Sequence, residues 1–361
     1  ILIVTPHIIV GGVEKALINM VKAIPKDEYD VFVRFVKKQG GFECDLPDDV
    51  AYSEINVTEI QKELLLCGGA KRAVINLIKK GKIIKATKVM VGKLRNKPFP
   101  EFVGKFQDIP SDEKEYDYAI CYHMHMPFIV AYVAEKIKAK NKICWMHNDF
   151  STTNFSVTNI EMYLRKYDKF YVVSQQLLSE FRERMPEMTA KSEIFYNLIN
   201  KQDILKKSEE ELAIIFDKSI VNIVSVGRLV CQKGFDMAID VARDLVDANV
   251  DFVWYVVGDG QERSNLKKQI KINKLEKQFI LLGSQNNPYP YMRNCDIYVQ
   301  PSRSEGYGIT ISEIKLFNKP IVCTDFAGAH EQLDNRKDSK IVKFDRKEIF
   351  NALREFCIKC K

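Results

Sequence analysis

The residues best suited to chemistry lie in segment 301–313, which reads PSRSEGYGITISE. The segment follows an apolar, strand-like run at 297–299, and we expect a helix to begin near Gly308. Two glycines allow the backbone to approach a ligand closely. Because the first amides of a helix lack partners within the helix, residues 308–310 could bind an anion such as phosphate.

Two glutamates accompany this segment. Glu313 would lie about a turn and a half inside the helix, where its carboxylate could accept hydrogen bonds from ribose hydroxyls. Glu305 lies in the loop itself, where it could contact a sugar. The alternative interpretation is a glycine-rich turn with two solvated glutamates, and the segment alone does not distinguish the two.

Two cations, Arg228 and Lys233, follow another strand-like run at 221–226. Both would lie at the mouth of a sheet, beside a helix start. Two converging cations can neutralise a diphosphate without a metal and can stabilise the charge that develops on a leaving group. Ordinary surface side chains are the competing interpretation.

The VVGDG run at 256–260 predicts a tight turn after a strand, which we interpret as a structural element of the fold.

Strand-like and helix-like segments alternate along the chain, which is typical of parallel α/β sheets. The 361 residues suit two domains. We predict one domain at 1–199, a polar linker at 200–218 and a second domain at 219–361, with ligands beyond the carboxyl ends of the strands. Strands are predicted at 1–4, 31–36, 119–120, 143–145, 170–173, 220–226, 252–257, 279–282, 297–299 and 321–323, and the first helix follows a loop at Gly11-Gly12.

In its C-terminal half the sequence resembles the family-four retaining glycosyltransferases (group 1 glycosyl transferases) with the GT-B fold. The matching pieces are VGRLVCQKG, VVGDG, LLGS, PSRSEGYGITISE and PIVCTDFAGAHE, in the family's order and spacing. The pair Glu305 and Glu313 is the specific part. The N-terminal half resembles the family more loosely, through GGVEK at 11–15, WMHND around His147 and VVSQ at 172–175.

The resemblance implies an α/β protein of two Rossmann-like domains that face each other across a cleft. The first would bind the acceptor and the second a nucleotide-sugar donor, with a UDP-sugar favoured. The implied catalytic residues are His147, near the transferred sugar, together with Glu305, Arg228 and Lys233. The implied donor-binding residues are Gly11, Gly12, Arg228, Lys233, Ser284, Glu305, Gly306, Tyr307, Gly308, Ile309, Thr310 and Glu313. Similar enzymes retain the anomeric configuration, use no metal or other cofactor, and employ a front-face displacement with the leaving phosphate as the base.

Three histidines are candidates for the acceptor side. His147 follows the strand-like run at 143–145, so it would lie at a carboxyl end. His123 and His125 are two residues apart and would share a face if the chain is extended there, and they could contact the acceptor. Cys121 would share that face, but no fourth ligand is apparent, so we expect no metal site.

Basic residues are concentrated in segment 61–105, which carries a net charge of +10 in a chain of net charge +7. They alternate with Ile, Leu and Val in a basic amphipathic pattern, and anionic lipid attracts such segments by about 1 kcal/mol per basic residue. An ordinary solvated helix face is the alternative, and no RNA-binding motif accompanies the charge, so no nucleic-acid partner is expected. The expected membrane contacts are Lys79, Lys80, Lys82, Lys85, Lys88, Lys93 and Arg95.

The nine cysteines show no pairing pattern, which suits a reducing cytosol, and no apolar run approaches the ~20 residues of a spanning helix. We therefore expect a cytoplasmic protein, peripheral on the inner face of the cell membrane. It would place a sugar on a saccharide or lipid-linked acceptor in cell-surface polysaccharide or glycolipid synthesis.

Two departures from the family pattern leave a second interpretation open. Leu198 stands where the family commonly has glycine, and the chain stops at Lys361, before the helix with which similar proteins return to the first domain. The alternative is a catalytically inactive GT-B scaffold that partners an active glycosyltransferase. A nucleotide-sugar epimerase is disfavoured by the two glutamates together with the two cations.

Overall fold

The computed structural model describes residues 1–7, 11–38, 45–57, 62, 70–94, 106, 109–148, 150, 160–212 and 214–359, without the side chains of 70–73, 76 and 92–94. The chain divides into two compact units. The first contains residues 1–173 and 178–195, and the second contains 174–177 and 196–361.

The first unit is built on a parallel sheet whose described strands have the order β3-β2-β1-β4-β5-β6-β7. The strands are β1 Leu2–Thr5, β2 Phe32–Phe35, β3 Ala51–Glu54, β4 Glu115–Cys121, β5 Lys138–Met146, β6 Lys169–Val172 and β7 Ser192–Ile194. The helices in this part of the chain are α1 Gly12–Ala23, α2 Ala70–Lys79, α3 Ile83–Leu94, α4 Pro127–Lys136, α5 Glu161–Leu164 and α6 Gln175–Arg184.

The second unit is built on another parallel sheet, with the order β10-β9-β8-β11-β12-β13. Its strands are β8 Val221–Val226, β9 Phe252–Val257, β10 Phe279–Gly283, β11 Ile297–Gln300, β12 Ile321–Thr324 and β13 Ser339–Val342. Its helices are α7 Lys201–Lys207, α8 Phe235–Asp247, α9 Arg263–Ile272, α10 Tyr289–Asn294, α11 Ile309–Ile314, α12 Ala329–Leu333 and α13 Arg346–Lys359.

Both faces of the second sheet carry an apolar core. Val221 and Ile223 pack in one cluster with Trp254, whereas Val224 packs in the other with Tyr298. Helices on both faces explain why strand residues of either parity are buried, and why these strands read as continuous apolar runs in the sequence.

Each strand predicted from the sequence is present. Among the described residues, three further strands were missed: β3, β7 and β13. All four residues of β3 are exposed, and β7 has three residues, so neither has an apolar run to indicate it. The first helix already begins at Gly12, one residue earlier than the predicted loop allows.

The linker prediction for 200–218 was wrong, because these residues lie inside the second unit. Asn200 caps α7 by accepting a hydrogen bond from the amide of Asp203 at 3.0 Å. Ile204 of α7 is 2% exposed and packs in the core cluster that includes Tyr298. The charged residues around it mark a helix surface, which polarity alone cannot distinguish from a linker.

Among the described helices, none combines the length and apolar character that crossing a bilayer requires.

The placement of α7 can be tested by truncating its buried side chain. Ile204→Ala should lower the free energy of unfolding by about 2–4 kcal/mol, because it leaves a cavity in the core. Leu205→Ala, at a neighbouring position that is 45% exposed, is the matched control and should change it by less than about 0.5 kcal/mol. Urea unfolding followed by Trp254 fluorescence in a Trp145→Phe background reports on the second unit. Equal effects of the two variants would contradict this placement.

Candidate active site

Two loops of the second unit meet at the carboxyl ends of β8 and β11. Gly234, between the 3-10 turn Cys231–Lys233 and α8, has a φ of +68°, and a Cβ there would lie 1.9 Å from the carbonyl oxygen of Pro301. Only glycine allows this approach, so the turn that carries Lys233 lies directly against the start of segment 301–313.

This contact brings together the two groups of residues that the sequence analysis selected separately. Lys233 Nζ forms an ion pair and a hydrogen bond with Glu305 Oε1. The lysine stem lies over Gly227, where an added Cβ would be 3.5 Å from Lys233 Cδ. A cation and a carboxylate, both partly buried, therefore lie at the mouth of the sheet.

Glu305 has two further donors, which the sequence analysis missed. Gln300 Nε2 donates to Oε1 at 2.9 Å and Ser302 Oγ donates to the same oxygen at 2.7 Å. On its other side, Gln300 Oε1 accepts from Tyr298 OH at 2.9 Å and from Thr310 Oγ1 at 3.0 Å. The network thereby joins Glu305 to the first turn of α11.

Glu313 is also fixed by a hydrogen bond within the second unit. It is 2% exposed, and its Oε1 accepts a hydrogen bond from Tyr289 OH at 3.1 Å. Burial, followed by the nearby charge of Glu313, raises the pKa of Tyr289, so the phenol stays protonated and able to donate.

The glycine-rich part of the segment is fixed by close packing. Helix α11 begins at Ile309, as predicted, after Gly308 with a φ of +77°. A Cβ at Gly308 would lie 2.8 Å from the ring of Phe326. The carbonyl of Tyr307 accepts a hydrogen bond from Gln332 Nε2 at 2.6 Å, and Gly306 is buried.

Two predicted donor residues lie on the surface of the same unit. Arg228 is exposed and follows Gly227, the first residue after β8. Ser284 is exposed and follows β10, where the amide of Gly258 donates to the carbonyl of Gly283 at 2.8 Å. Both follow carboxyl ends of strands in the sheet that carries Lys233 and Glu305.

The three predicted histidines cluster in the first unit, after β4 and β5. The His123 ring centroid lies 5.2 Å from that of His125 and 5.9 Å from that of His147. Tyr122 and Trp145 border the cluster, with centroids 4.4 and 6.1 Å from His147. His147 lies directly after β5, as expected.

The predicted shared strand face of His123, His125 and Cys121 was wrong. Strand β4 ends at Cys121, and the chain then turns, with the amide of Met126 donating to the carbonyl of His123 at 3.0 Å. The chain turns because Pro127 opens α4 directly afterwards. No cluster of His, Cys, Asp or Glu suited to a metal ion is present among the residues that the structure describes.

Burial keeps the histidines neutral. It lowers the pKa of His125 to about 4 and that of His147 to about 3, and it holds the pKa of His123 well below its ordinary value. Both ring nitrogens of His123 and of His147 lack a hydrogen-bond partner within the described part of the chain. These four nitrogens are therefore buried polar atoms whose hydrogen-bonding capacity is not met by the described residues.

The remaining predicted residues are placed only in part. Gly11 precedes α1 in an extended conformation, and Gly12 opens the helix. Lys79, Lys80, Lys82, Lys85 and Lys88 are exposed on α2, on α3 and in the turn between them. The side chain of Lys93 and all of Arg95 lie outside the described residues.

A family comparison bears on the second unit. Residues 208–358 match the family model described as glycosyl transferases group 1. This segment is a group 1 glycosyl transferase domain. It contains Arg228, Lys233, Ser284, Glu305 and Glu313.

A sequence relative extends the comparison beyond this domain. Over 217 residues, 59% of the chain, the sequence is 30% identical to the N-acetylgalactosamine-N,N'-diacetylbacillosaminyl-diphospho-undecaprenol 4-alpha-N-acetylgalactosaminyltransferase of Campylobacter jejuni. The match covers 56% of that relative, so the chain spans about half of its length.

Solved structures resemble the whole chain in fold. Anabaena Alr3699/HepE in complex with UDP and glucose has a TM-score of 0.67 at 18% identity, over 99% of this chain and 89% of that one. The E. coli trehalose-6-phosphate protein bound with UDP-2-fluoro glucose has a TM-score of 0.66 at 14% identity, over 98% and 90%. With the two parallel sheets, these similarities confirm the predicted GT-B fold of two Rossmann-like α/β units.

The glycosyl transferase domain contains supporting side chains that the sequence analysis missed. Gln300 and Ser302 contact Glu305, and Tyr289 contacts Glu313. One signal was available: Gln300 is a polar residue at the end of an otherwise apolar strand, directly before the motif. No comparable signal indicates Tyr289, because its pairing with Glu313 spans 24 residues.

The histidine cluster predicts a pH dependence of stability. In the unfolded chain a histidine titrates near its ordinary pKa, whereas the folded pKa values of His125 and His147 are about 4 and about 3. Their stabilisation is therefore complete above about pH 6.5 and is lost as the pH falls towards 4. Between pH 7.5 and 5.5 each of the three buried histidines, His123 included, should cost about 1.4 kcal/mol of unfolding free energy, or about 4 kcal/mol together.

Urea unfolding at the two pH values, followed by Trp145 fluorescence in a Trp254→Phe background, measures this cost. His147→Gln should remove about a third of the difference. His330→Gln is the control, because His330 is exposed and belongs to the second unit. A pH-independent free energy in the parent protein would show that the three histidines titrate normally when folded.

Proposed function

We propose that the chain is a retaining glycosyltransferase. It would move a sugar from a nucleotide diphosphate-sugar, with a UDP-sugar favoured, to a saccharide or lipid-linked acceptor in polysaccharide or glycolipid synthesis. The observation that carries the proposal is the pairing of Lys233 with Glu305 at the carboxyl end of a Rossmann-like sheet, in a group 1 glycosyl transferase domain.

Several findings support the individual parts. A UDP-sugar is favoured because structural neighbours contain UDP with glucose or UDP-2-fluoro glucose. A lipid-linked acceptor is supported by the Campylobacter relative, whose name specifies a diphospho-undecaprenol acceptor. Retention is supported by the resemblance to the retaining family and by the presence of both glutamates.

In the proposed reaction, Arg228 and Lys233 bind the diphosphate. Two positive charges stabilise the negative charge that grows on the leaving phosphate, so we propose that no metal is needed. Glu313 holds the ribose, the backbone of 306–310 surrounds the phosphate, and Glu305 contacts the donor sugar. Gly11 and Gly12 approach the donor, and Ser284 lies beside the nucleotide.

The bond from the anomeric carbon to the phosphate oxygen breaks while the acceptor hydroxyl bonds to the same face of that carbon. The hydroxyl proton passes to the departing phosphate oxygen, which serves as the base. His147 lies near the transferred sugar. His123 and His125 contact the acceptor, and because burial lowers their pKa they act as neutral hydrogen-bonding groups and not as cations.

Hydrolysis of a panel of UDP-, GDP- and ADP-sugars tests the proposal. We expect slow release of one nucleotide, insensitive to EDTA, with an α-linked donor giving an α product by NMR. Lys233→Ala and Glu305→Ala should each lower kcat/KM by about 100-fold or more, because each removes a charged contact to the donor.

Lys347→Ala is the matched control, since Lys347 is an exposed lysine of the same unit, and it should leave the rate unchanged. Inversion at the anomeric carbon would contradict the retaining mechanism. An absence of both turnover and nucleotide binding would contradict the enzyme and favour an inactive scaffold that requires a partner glycosyltransferase.

We also propose that the first unit docks on the anionic inner face of the membrane, which makes the protein cytoplasmic and peripheral. Helices α2 and α3 bury Val74, Leu77 and Ala86 against each other. On their outer surface they expose large apolar side chains, including Ile83 at 65% and Ile84 at 76%. Apolar side chains surrounded by exposed lysines match the surface of an anionic bilayer.

Co-sedimentation with vesicles tests this docking. Binding should require phosphatidylglycerol in phosphatidylcholine vesicles, and Ile83→Ser with Ile84→Ser should weaken it about 10-fold or more, because two apolar side chains no longer leave water. Ile272→Ser, at an isoleucine that is 79% exposed on the second unit, is the matched control. Equal binding to neutral vesicles, or dimerisation through these isoleucines without vesicle binding, would contradict the proposal.

A further inference from the structure

The carboxylate of Glu305 accepts three hydrogen bonds on one oxygen. Lys233, Gln300 and Ser302 all donate to Oε1. Within the described residues no hydrogen bond reaches Oε2. One carboxylate oxygen is therefore held by the protein, while the other remains available to a ligand.

The three donors differ in accessibility. Gln300 and Ser302 are buried and held by further hydrogen bonds, since Gln300 Oε1 accepts from Tyr298 and Thr310 and Ser302 Oγ accepts from Gln300, so neither is free to turn towards a substrate. Lys233 is more exposed, and its ammonium group lies on a flexible stem of four carbons. Of the three, the lysine is the donor that can reorient towards a newly bound anion.

A donor diphosphate would compete with Glu305 for Lys233. If the lysine were the only donor, its departure would leave a carboxylate that is 8% exposed without a partner. A buried carboxylate without a donor is strongly unfavourable, so it would rotate away to find one. The two buried donors remove this cost, because they keep Oε1 hydrogen-bonded when the lysine leaves.

The direction of the Gln300 amide is fixed by its neighbours. An ionised carboxylate only accepts, so the NH2 group of Gln300 must face Glu305. Its carbonyl oxygen then points to Tyr298 OH and Thr310 Oγ1, and both of these can donate. Ser302 Oγ accepts from Gln300 Nε2 at 2.9 Å, which leaves the serine hydrogen for Glu305.

We propose that Gln300 and Ser302 are positioning residues that hold Glu305 in its reactive orientation while Lys233 moves from Glu305 to the donor diphosphate. This inference rests on the proposed function and extends it, since it assigns the site two residues that act through Glu305. The inference also assigns nucleotide affinity and turnover to different residues. Nucleotide affinity depends on Lys233 and Arg228, whereas turnover depends on the orientation of Glu305.

The variants Gln300→Met and Ser302→Ala test the proposal. Each should lower kcat for the nucleotide-sugar by about 10-fold or more, the effect of losing a hydrogen bond to a charged group. Each should change the Kd for UDP by less than about 3-fold, since UDP lacks the transferred sugar that Glu305 would contact. In a Glu305→Ala background, Gln300→Met should have no further effect on kcat, because both act through the same carboxylate.

Ser225→Ala is the matched control. Ser225 is a buried residue of β8 whose hydroxyl donates to the carbonyl of Val299 at 2.6 Å and accepts from Trp254 Nε1 at 3.0 Å. Among the described residues it makes no hydrogen bond to Glu305. It should lower the melting temperature to a similar extent while leaving kcat unchanged. This comparison separates an effect on catalysis from a general loss of stability.

The contradicting outcomes are distinct. An active parent protein whose kcat is unchanged in Gln300→Met, or whose kcat and UDP affinity fall equally, would overturn the positioning role and leave the proposed function intact. Additive effects of Gln300→Met and Glu305→Ala would also overturn it. A parent protein that neither binds UDP nor turns over any nucleotide-sugar would overturn the proposed function, and this inference with it.

Discussion

A carboxylate that is 8% exposed must find hydrogen-bond donors inside the protein, and Glu305 imposes this demand on the second unit. Its partners come from two loops: Lys233 follows β8, whereas Gln300 and Ser302 lie at and after the end of β11. The backbones of these loops lie in direct contact, which brings their donors to the same carboxylate. Gly234 allows this, because any side chain there would collide with the carbonyl of Pro301.

The two units meet their electrostatic requirements in different ways. In the second unit, buried polar groups around Glu305 are joined in a connected network that extends to Thr310. In the first unit, burial acts on His123 and His147 without compensating hydrogen bonds among the described residues, and it removes their charge. The second unit therefore keeps a charge and satisfies it, whereas the first unit removes the charge.

The sequence was most informative where function requires rare residue combinations. The apolar runs predicted the fold, because each buried strand can be recognised from its own residues. The glycines and glutamates at a fixed spacing predicted the candidate donor site. Contacts between distant residues were not readable. Tyr289 donates to Glu313 across 24 residues of sequence. Ile204 is buried because it packs in the core cluster that also contains Tyr289. The polar residues of α7 were therefore wrongly interpreted as a linker.

The central claim is that Lys233 exchanges Glu305 for the donor diphosphate while Glu305 stays in place. A crystal structure of the protein with UDP bound tests it most directly. The account predicts Lys233 Nζ within hydrogen-bond distance of a phosphate oxygen, with Gln300 and Ser302 still donating to Glu305 Oε1. A diphosphate bound elsewhere with Lys233 still on Glu305, or a Glu305 carboxylate rotated away from both buried donors, would contradict it.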